Sequence, residues 1–256
     1  MGLLGKWLEL VGKIGLFSLR VLRDAVRPPF EFAQLVRHLA EVGNKSLALI
    51  IVSGFALGAV MTLHTRNTLV TFGATALIPT VQAVSFFVEI GPLVAGLLIA
   101  GRVGSGIGAV LANMRASEQI DAIQVLSVDS FKFLVVPRVL ACVIALPLLT
   151  LCMDFSGLFG GFLSEEMSSH IAPALYVDRA FDYLTWSNFI APTLKTTVFG
   201  FIIGSVSSYF GYTIDKGSLG VGEAATKSVV VSSLLIIIAD LLLIKCIYFF
   251  FPDTAI

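Results

Sequence analysis

Residues 88–130 of the chain read VEIGPLVAGLLIAGRVGSGIGAVLANMRASEQIDAIQVLSVDS. The stretch opens with one carboxylate, Glu89, inside an apolar run, and glycines then recur as far as Gly108. A short polar segment, Met114 to Leu126, follows between two hydrophobic blocks. This pattern predicts a membrane-spanning helix that leads into an amphipathic connector helix on the cytoplasmic side, where a soluble partner has access to it.

The composition is that of a membrane protein with several spans. Of the 256 residues, 57% are hydrophobic and only 13% are charged, whereas about a quarter of the residues of a soluble domain are charged. Several apolar runs exceed the roughly 18 to 20 residues that a helix needs to cross a bilayer. The net charge is zero, so nothing indicates binding to nucleic acid.

The hydrophobic runs predict five transmembrane helices in an all-α polytopic membrane protein. Residues 1–41 are expected to form N-terminal amphipathic helices, and residues 42–256 a transmembrane domain. Residues 64–76 fit either a loop or a continuation of the first span, and residues 213–227 are predicted to be a short polar turn. The predicted spans are 46–63, 77–101, 139–163, 189–212 and 228–251.

The N-terminal segment has the pattern of a helix that lies in the headgroup layer. Four of its cations recur every seven residues, which keeps them on one face of a helix, and bulky apolar residues lie between them. Such a helix suits the membrane interface, although the same pattern fits an amphipathic helix packed on protein. The four cations are Lys6, Lys13, Arg20 and Arg27.

The distribution of cations predicts the orientation in the membrane. Thirteen of the 17 Lys and Arg residues lie in residues 1–45, 102–138 and 213–227. Cytoplasmic segments carry an excess of Lys and Arg. We therefore expect the N-terminus and the connector helix to be cytoplasmic and the C-terminus to be on the opposite side.

Four ionisable residues fall well inside the predicted spans, Glu89, Asp154, Lys195 and Asp240, and Lys245 lies nearer the end of the fifth span. An unpaired charge at the bilayer centre costs a few kcal/mol, so such residues usually pair or line a wet cavity. Glu89 precedes Gly91-Pro92, which opens the backbone, and we expect Lys195 to be its countercharge. Two interpretations stay open, a polar point in a lipid or solute cavity and an ion pair that locks helices together.

The connector helix has an apolar ridge with a polar rim. Ile120, Ile123 and Leu126 recur at intervals of three, and Ser117 is the predicted N-cap. The ridge suits the groove of a partner protein, and it equally suits packing against the chain itself. The chain has no GxxxxGK[ST] motif, so any ATP used would be bound by another polypeptide.

No sequence motif indicates an enzyme or a metal site. The three cysteines fall within apolar runs without ligand spacing, and the three histidines are scattered. No GxSxG nucleophile motif is present. We therefore expect no catalytic residue, no metal ligand and no cofactor in this chain.

Several motifs together resemble one known family, the MlaE/YrbE-type permeases of ABC systems that move phospholipids between the bacterial inner and outer membranes. The likeness is most specific within residues 89–129, and it covers about residues 40–250. The matching residues are EIGP at 89–92, AGRVGS at 100–105, MRASEQIDA at 114–122, Val128-Asp129, Gly211-Tyr212, GVG at 220–222, Ala225-Thr226, SVV at 228–230 and Asp240.

The resemblance implies a non-catalytic permease subunit that maintains outer-membrane lipid asymmetry in the inner membrane of a Gram-negative bacterium. Its implied partners are a second copy of the chain, a cytoplasmic ABC ATPase that uses ATP and Mg²⁺, a STAS-domain subunit, a periplasmic hexamer of MCE domains, and phospholipids. The connector helix would be the coupling helix that docks on the ATPase.

The resemblance also implies two sets of site residues. The residues that would line the lipid cavity are Met61, Leu69, Phe72, Glu89, Ile90 and Lys195. The residues that would couple the chain to the ATPase are Arg115, Glu118, Gln119, Ile120, Asp121 and Ile123.

One position departs from the family pattern. Members of the family often carry a basic residue immediately before the glutamate, and here that residue is Val88. This departure bears on the countercharge of Glu89 and on the preferred lipid headgroup. The alternative function is an ion-coupled secondary transporter with Glu89 and Asp240 as relay groups. That class usually shows internal repeats.

Overall fold

The computed structural model describes residues 3–28, 30–214 and 217–250, and these residues form helices and no strand. Lys216, which the sequence places on the cytoplasmic side, and residues 251–256, at the C-terminus that is predicted to lie on the opposite side, lie outside the described residues. The helices are α1 (Leu3–Ala25), α2 (Phe32–Thr71), α3 (Ile78–Ser85), α4 (Gly91–Ile99), α5 (Ser105–Ala116), α6 (Gln119–Val125), α7 (Ser130–Leu134), α8 (Val136–Ser169), α9 (Pro173–Phe181), α10 (Trp186–Tyr212) and α11 (Gly217–Phe250).

Five stretches of helix are long and apolar enough to cross a membrane, which confirms the predicted number of spans and the all-α class. The second stretch is continuous from a short 3-10 turn through α3, α4 and α5. The chain is therefore a multi-pass membrane protein. The stretches are Phe32–Thr71, Thr75–Ala116, Ser130–Ser169, Asn188–Tyr212 and Leu219–Ile247.

Two helices are longer than the sequence predicts. α2 is a single helix of 40 residues, where a short amphipathic piece and a separate span were expected. It contains no proline, so the polar residues near Asn44 do not interrupt its backbone hydrogen bonds. Helix also replaces most of the predicted polar turn, because α11 begins at Gly217.

The chain divides into two compact units, and both draw on several distant parts of the sequence. The first comprises Met1–Gly43, Leu97–Ala145 and Val198–Ile236, and the second comprises Asn44–Gly96, Leu146–Thr197 and Ile237–Ile256. The predicted domain boundary between residues 41 and 42 falls within α2.

The first unit has a core of aromatic and β-branched side chains. Val21 of α1 is buried against Phe131, Val135 and Val139. The guanidinium of Arg20 lies 4.1 Å from the centroid of the Phe131 ring, which is within the range of a cation–π contact. α1 is therefore packed on protein along one face.

The second unit is held together by close approach of α2 and α8. At Gly58, a side chain would collide with the backbone of Gly157. Gln82 lies in the same contact, where its Nε2 donates to the carbonyls of Gly58 and Gly157 at 3.4 and 3.2 Å. The hydroxyl of Tyr176 in α9 donates to Oε1 of Gln82 at 2.7 Å, which ties this short helix to the transmembrane helices of the unit.

Candidate functional site

Three of the four ionisable residues predicted within spans meet in the second unit. Nζ of Lys195, in α10, donates a hydrogen bond to Oε2 of Glu89 at 2.7 Å. The same Nζ lies 2.8 Å from Oδ1 of Asp240 in α11. The contact between Lys195 and Asp240 is an ion pair and not a hydrogen bond. The predicted pairing of Glu89 with Lys195 is confirmed, and Asp240 is added to it.

The three side chains differ in their access to the surroundings. The exposed fraction is 1% for Lys195, 6% for Asp240 and 35% for Glu89. An ammonium buried without a partner would cost several kcal/mol, so both carboxylates stabilise Lys195 in this position. The exposed end of the cluster is the Glu89 carboxylate.

The fourth residue, Asp154 of α8, lies beside the same segment. It is fully buried, and neither of its carboxylate oxygens has a hydrogen-bond partner among the described residues. Its Oδ1 occupies the space that a side chain at Gly91 would need. A side chain two residues after Glu89 would therefore displace the carboxylate of Asp154.

A turn of π-helix at Phe86–Ile90 carries Glu89. The N–H of Gly91 donates to the carbonyl of Phe86, five residues earlier. Pro92 follows and has no N–H to donate, so the regular α-helical pattern cannot be kept through this segment. Single π turns within α-helices often occur at functional sites. A second π turn, Ala100–Gly104, lies farther along the same span.

The apolar residues of the predicted lipid cavity are distributed more widely. Ile90 follows Glu89 directly and is half-buried, as are Met61 and Leu69 in α2. Phe72 lies one residue beyond the end of α2 and is 78% exposed. All four belong to the second unit together with Glu89. That they enclose one cavity stays a prediction.

The predicted coupling helix exists as α6, but its start differs from the expectation. Ser117 is not the N-cap, because its Oγ donates to the carbonyl of Asn113 in the preceding helix at 2.8 Å. Glu118 occupies the cap position with φ of 58°, a left-handed conformation that turns the chain sharply between α5 and α6. Arg115 and Asp121 bridge this turn with Nη1 and Oδ1 2.5 Å apart.

The apolar ridge of α6 also requires correction. Ile120 is fully buried within the chain, so its side chain cannot enter the groove of a partner. The exposed apolar side chains are Val125 and Leu126, which are 84% and 75% exposed. Gln124 ties the helix to α7 through a hydrogen bond of 3.0 Å from Nε2 to Oγ of Ser130. A spacing of three alone does not show which residues of the ridge are buried within the chain and which are exposed.

Comparison with known proteins decides the family. The family model described as Permease MlaE matches residues 35–246 of this chain. The chain belongs to the MlaE permease family. The match includes all four ionisable residues of the spans and the whole of α6, so both predicted sites lie within the region that defines the family.

Curated relatives of this MlaE permease cover nearly its whole length. It is 39% identical over 238 residues to a probable ABC transporter permease protein of Rickettsia bellii, which is 93% of this chain and 92% of the relative. It is 34% identical to a probable ABC transporter permease protein of Synechocystis over 84% of this chain and 82% of the relative. It is 32% identical to the chloroplastic protein TRIGALACTOSYLDIACYLGLYCEROL 1 of Arabidopsis thaliana over 90% of this chain and 64% of the relative.

Membership in this family places the chain among ABC transporter permeases, and a permease of this kind implies a partner ATPase. An ion-coupled secondary transporter with a relay through Glu89 and Asp240 belongs to a different class. The described part of the chain also holds no group of three or more His, Cys, Asp or Glu side chains suited to a metal ion.

Proposed function

We propose that this MlaE permease moves phospholipids between the inner and outer membranes of a Gram-negative bacterium and so maintains the lipid asymmetry of the outer membrane. The observation that carries the proposal is the Glu89–Lys195 pair, which presents a half-exposed carboxylate within a membrane span. A polar group at this depth suits a lipid headgroup that must be held within apolar surroundings. The name of the Arabidopsis relative, which is that of a galactolipid, agrees with a lipid substrate.

The lipid would be held by two kinds of contact. Glu89 and Lys195 would lie near the headgroup, and Met61, Leu69, Phe72 and Ile90 would cover the acyl chains. Apolar side chains around the acyl chains keep them out of water, which removes most of the cost of extracting a lipid from the bilayer. A second copy of the chain would complete the cavity.

The energy would come from a cytoplasmic ABC ATPase that binds ATP and Mg²⁺ and docks on α6. Val125 and Leu126 supply exposed apolar surface there, and Arg115, Glu118, Gln119, Asp121 and Ile123 would surround the contact. A STAS-domain subunit would bind the ATPase, and a hexamer of MCE domains would contact the permease in the periplasm. The chain itself would perform no catalysis.

α1 would lie at the cytoplasmic surface of the membrane. One face of α1 is buried on the first unit through Ile14 and Val21, whereas Leu16, Leu19 and Leu22 are exposed. An exposed apolar face beside basic residues suits the headgroup layer. In this proposal α1 would have one face for protein and another for lipid.

The substitution Glu89→Ala tests the cavity. Lys195 keeps Asp240 as a partner in this variant, so the fold should survive while the headgroup contact is lost. In vesicles that contain the permease with its ATPase, we expect transfer of a fluorescent phospholipid to an acceptor to fall by about tenfold, the effect of about 1.4 kcal/mol.

Glu166→Ala, which removes a carboxylate of the second unit outside the cluster, is the matched control and should transfer lipid normally. Normal transfer by Glu89→Ala in an intact complex would show that the cluster has no part in holding the lipid.

A further inference from the structure

The charge of the Lys195 cluster is unbalanced. It contains two carboxylates, Glu89 and Asp240, and the one ammonium group of Lys195. With all three groups ionised the net charge is negative by one. Val88, immediately before Glu89, is a buried apolar residue and adds no cation.

The positive charge of the cluster is not accessible to a ligand. Lys195 is almost fully buried, and its Nζ is already in contact with both Glu89 and Asp240. Glu89 lies in front of it as the exposed group, with Oε2 bonded to Lys195. A headgroup that arrives from the membrane therefore meets a carboxylate first, and a phosphate finds no free ammonium in this cluster.

Asp154, next to the cluster, is a further acidic group without a hydrogen-bonded partner among the described residues. It is fully buried and both its oxygens have no hydrogen-bond partner among the described residues. Its Oδ1 lies against Gly91, in the segment that carries Glu89. A buried carboxylate without a partner is expensive in an apolar medium, and a cation bound nearby at Glu89 would lower that cost.

We propose that this cluster selects phospholipids whose headgroup carries a primary ammonium over phospholipids whose headgroup carries only the negative charge of the phosphate. The inference rests on the proposed function, since it names the lipid class that the same site would take. The ammonium would donate to the exposed carboxylate of Glu89. A metal ion is a poorer occupant, because the described carboxylates do not form a set of metal ligands.

Competition binding tests the preference. The full-length chain, purified in detergent, is titrated with phosphatidylethanolamine that carries a fluorophore on its acyl chain, and unlabelled lipids then displace it. We expect phosphatidylethanolamine to compete about fivefold better than phosphatidylglycerol with the same acyl chains, the ratio for a partly exposed ion pair. N-acetyl-phosphatidylethanolamine, which has lost the positive charge, should compete no better than phosphatidylglycerol.

Two variants locate the preference. Glu89→Gln, which keeps the Lys195–Asp240 pair, should bind both lipids with a ratio near one, and Glu166→Gln, the same change outside the cluster, should keep the wild-type ratio. The inference is overturned if both lipids compete equally for the wild-type chain. It is also overturned if the preference survives N-acetylation of the lipid or the Glu89→Gln substitution. In each of these cases lipid binding itself is unaffected. If none of the lipids binds, the proposed function itself is refuted along with the inference.

Discussion

At the scale of single residues, Lys195 has the largest electrostatic role, because two carboxylates depend on it. Replacing it by methionine leaves Glu89 and the buried Asp240 without their countercharge. Removing one partner of a buried ion pair costs about 3–5 kcal/mol of unfolding free energy. We expect Lys195→Met to lower the stability of the detergent-purified chain by an amount in that range, measured by thermal or SDS-induced unfolding.

Non-additivity separates this electrostatic effect from loss of packing. If charge is the cause, adding Asp240→Asn to Lys195→Met should restore part of the lost stability, because residues in one ion-pair network couple. A double variant less stable than Lys195→Met alone would indicate that the methylene groups of Lys195, and not its charge, hold the helices.

The residue scale also shows what the sequence can predict. Charged residues in apolar spans must find partners, and this rule led to the pairing of Glu89 with Lys195. The rule did not predict that Asp240 shares Lys195 or that Asp154 has no hydrogen-bond partner among the described residues. Those facts depend on how each helix is rotated about its axis, and the hydrophobic pattern hardly defines that rotation in helices that are apolar on all sides.

At the scale of elements, α9 depends on one buried hydroxyl. Tyr176 donates to Gln82 at 2.7 Å, and Gln82 in turn donates to the backbone of α2 and α8. Tyr176→Phe leaves the amide oxygen of Gln82 without its donor, which costs about 1–3 kcal/mol when the group is buried. We expect a corresponding fall in unfolding free energy, whereas Tyr183→Phe, a change at an exposed tyrosine of the following turn, should have no effect.

The same contact predicts a pH dependence. Burial, and to a smaller extent the nearby Glu165 carboxylate, raise the pKa of Tyr176 above its usual value, which is about 10 in an unfolded chain. Above that pH the unfolded chain releases the phenolic proton and the folded chain retains it, so stability falls as the pH rises. The difference in stability between wild type and Tyr176→Phe should therefore be full at pH 8 and shrink above pH 10. A difference that stays constant to pH 11 would contradict burial of the hydroxyl.

Helix lengths mark where prediction from the sequence fails at this scale. The sequence predicts an amphipathic segment that ends at residue 41 and a separate span that begins at residue 46, yet both lie within α2, a single helix of 40 residues. Polar side chains change the surroundings that a helix prefers and do not break its backbone hydrogen bonds. Proline and glycine act on the backbone directly, and the left-handed Gly73, with φ of 68°, follows the end of α2.

At the scale of the whole molecule, the chain must pass motion from a partner to a lipid. The span from Thr75 to Ala116 carries Glu89 and leads directly into the turn before α6. It contains both π turns, which are places where a helix can change its pitch. Family membership implies the ATPase, and the exposed apolar residues of α6 are where we expect it to bind.

The exposed surface of α6 gives the last prediction. Leu126→Asp places a charge on a side chain that is exposed in the chain alone, so the variant should melt like wild type. Ile120→Asp buries a charge and should unfold the connector. If Leu126 enters an apolar groove of the ATPase, Leu126→Asp should reduce co-purification of the ATPase by about tenfold or more, since a desolvated charge without a partner costs several kcal/mol.

Loss of lipid-stimulated ATP hydrolysis should accompany the loss of binding. Met167→Asp, the same kind of change at an exposed residue near the end of α8, should leave both measurements unchanged, because that end is predicted to lie on the other side of the membrane. If the ATPase co-purifies with Leu126→Asp as well as with wild type, the docking surface does not include the end of α6. Equal losses with Met167→Asp would instead indicate that a new charge at any exposed apolar position disturbs assembly.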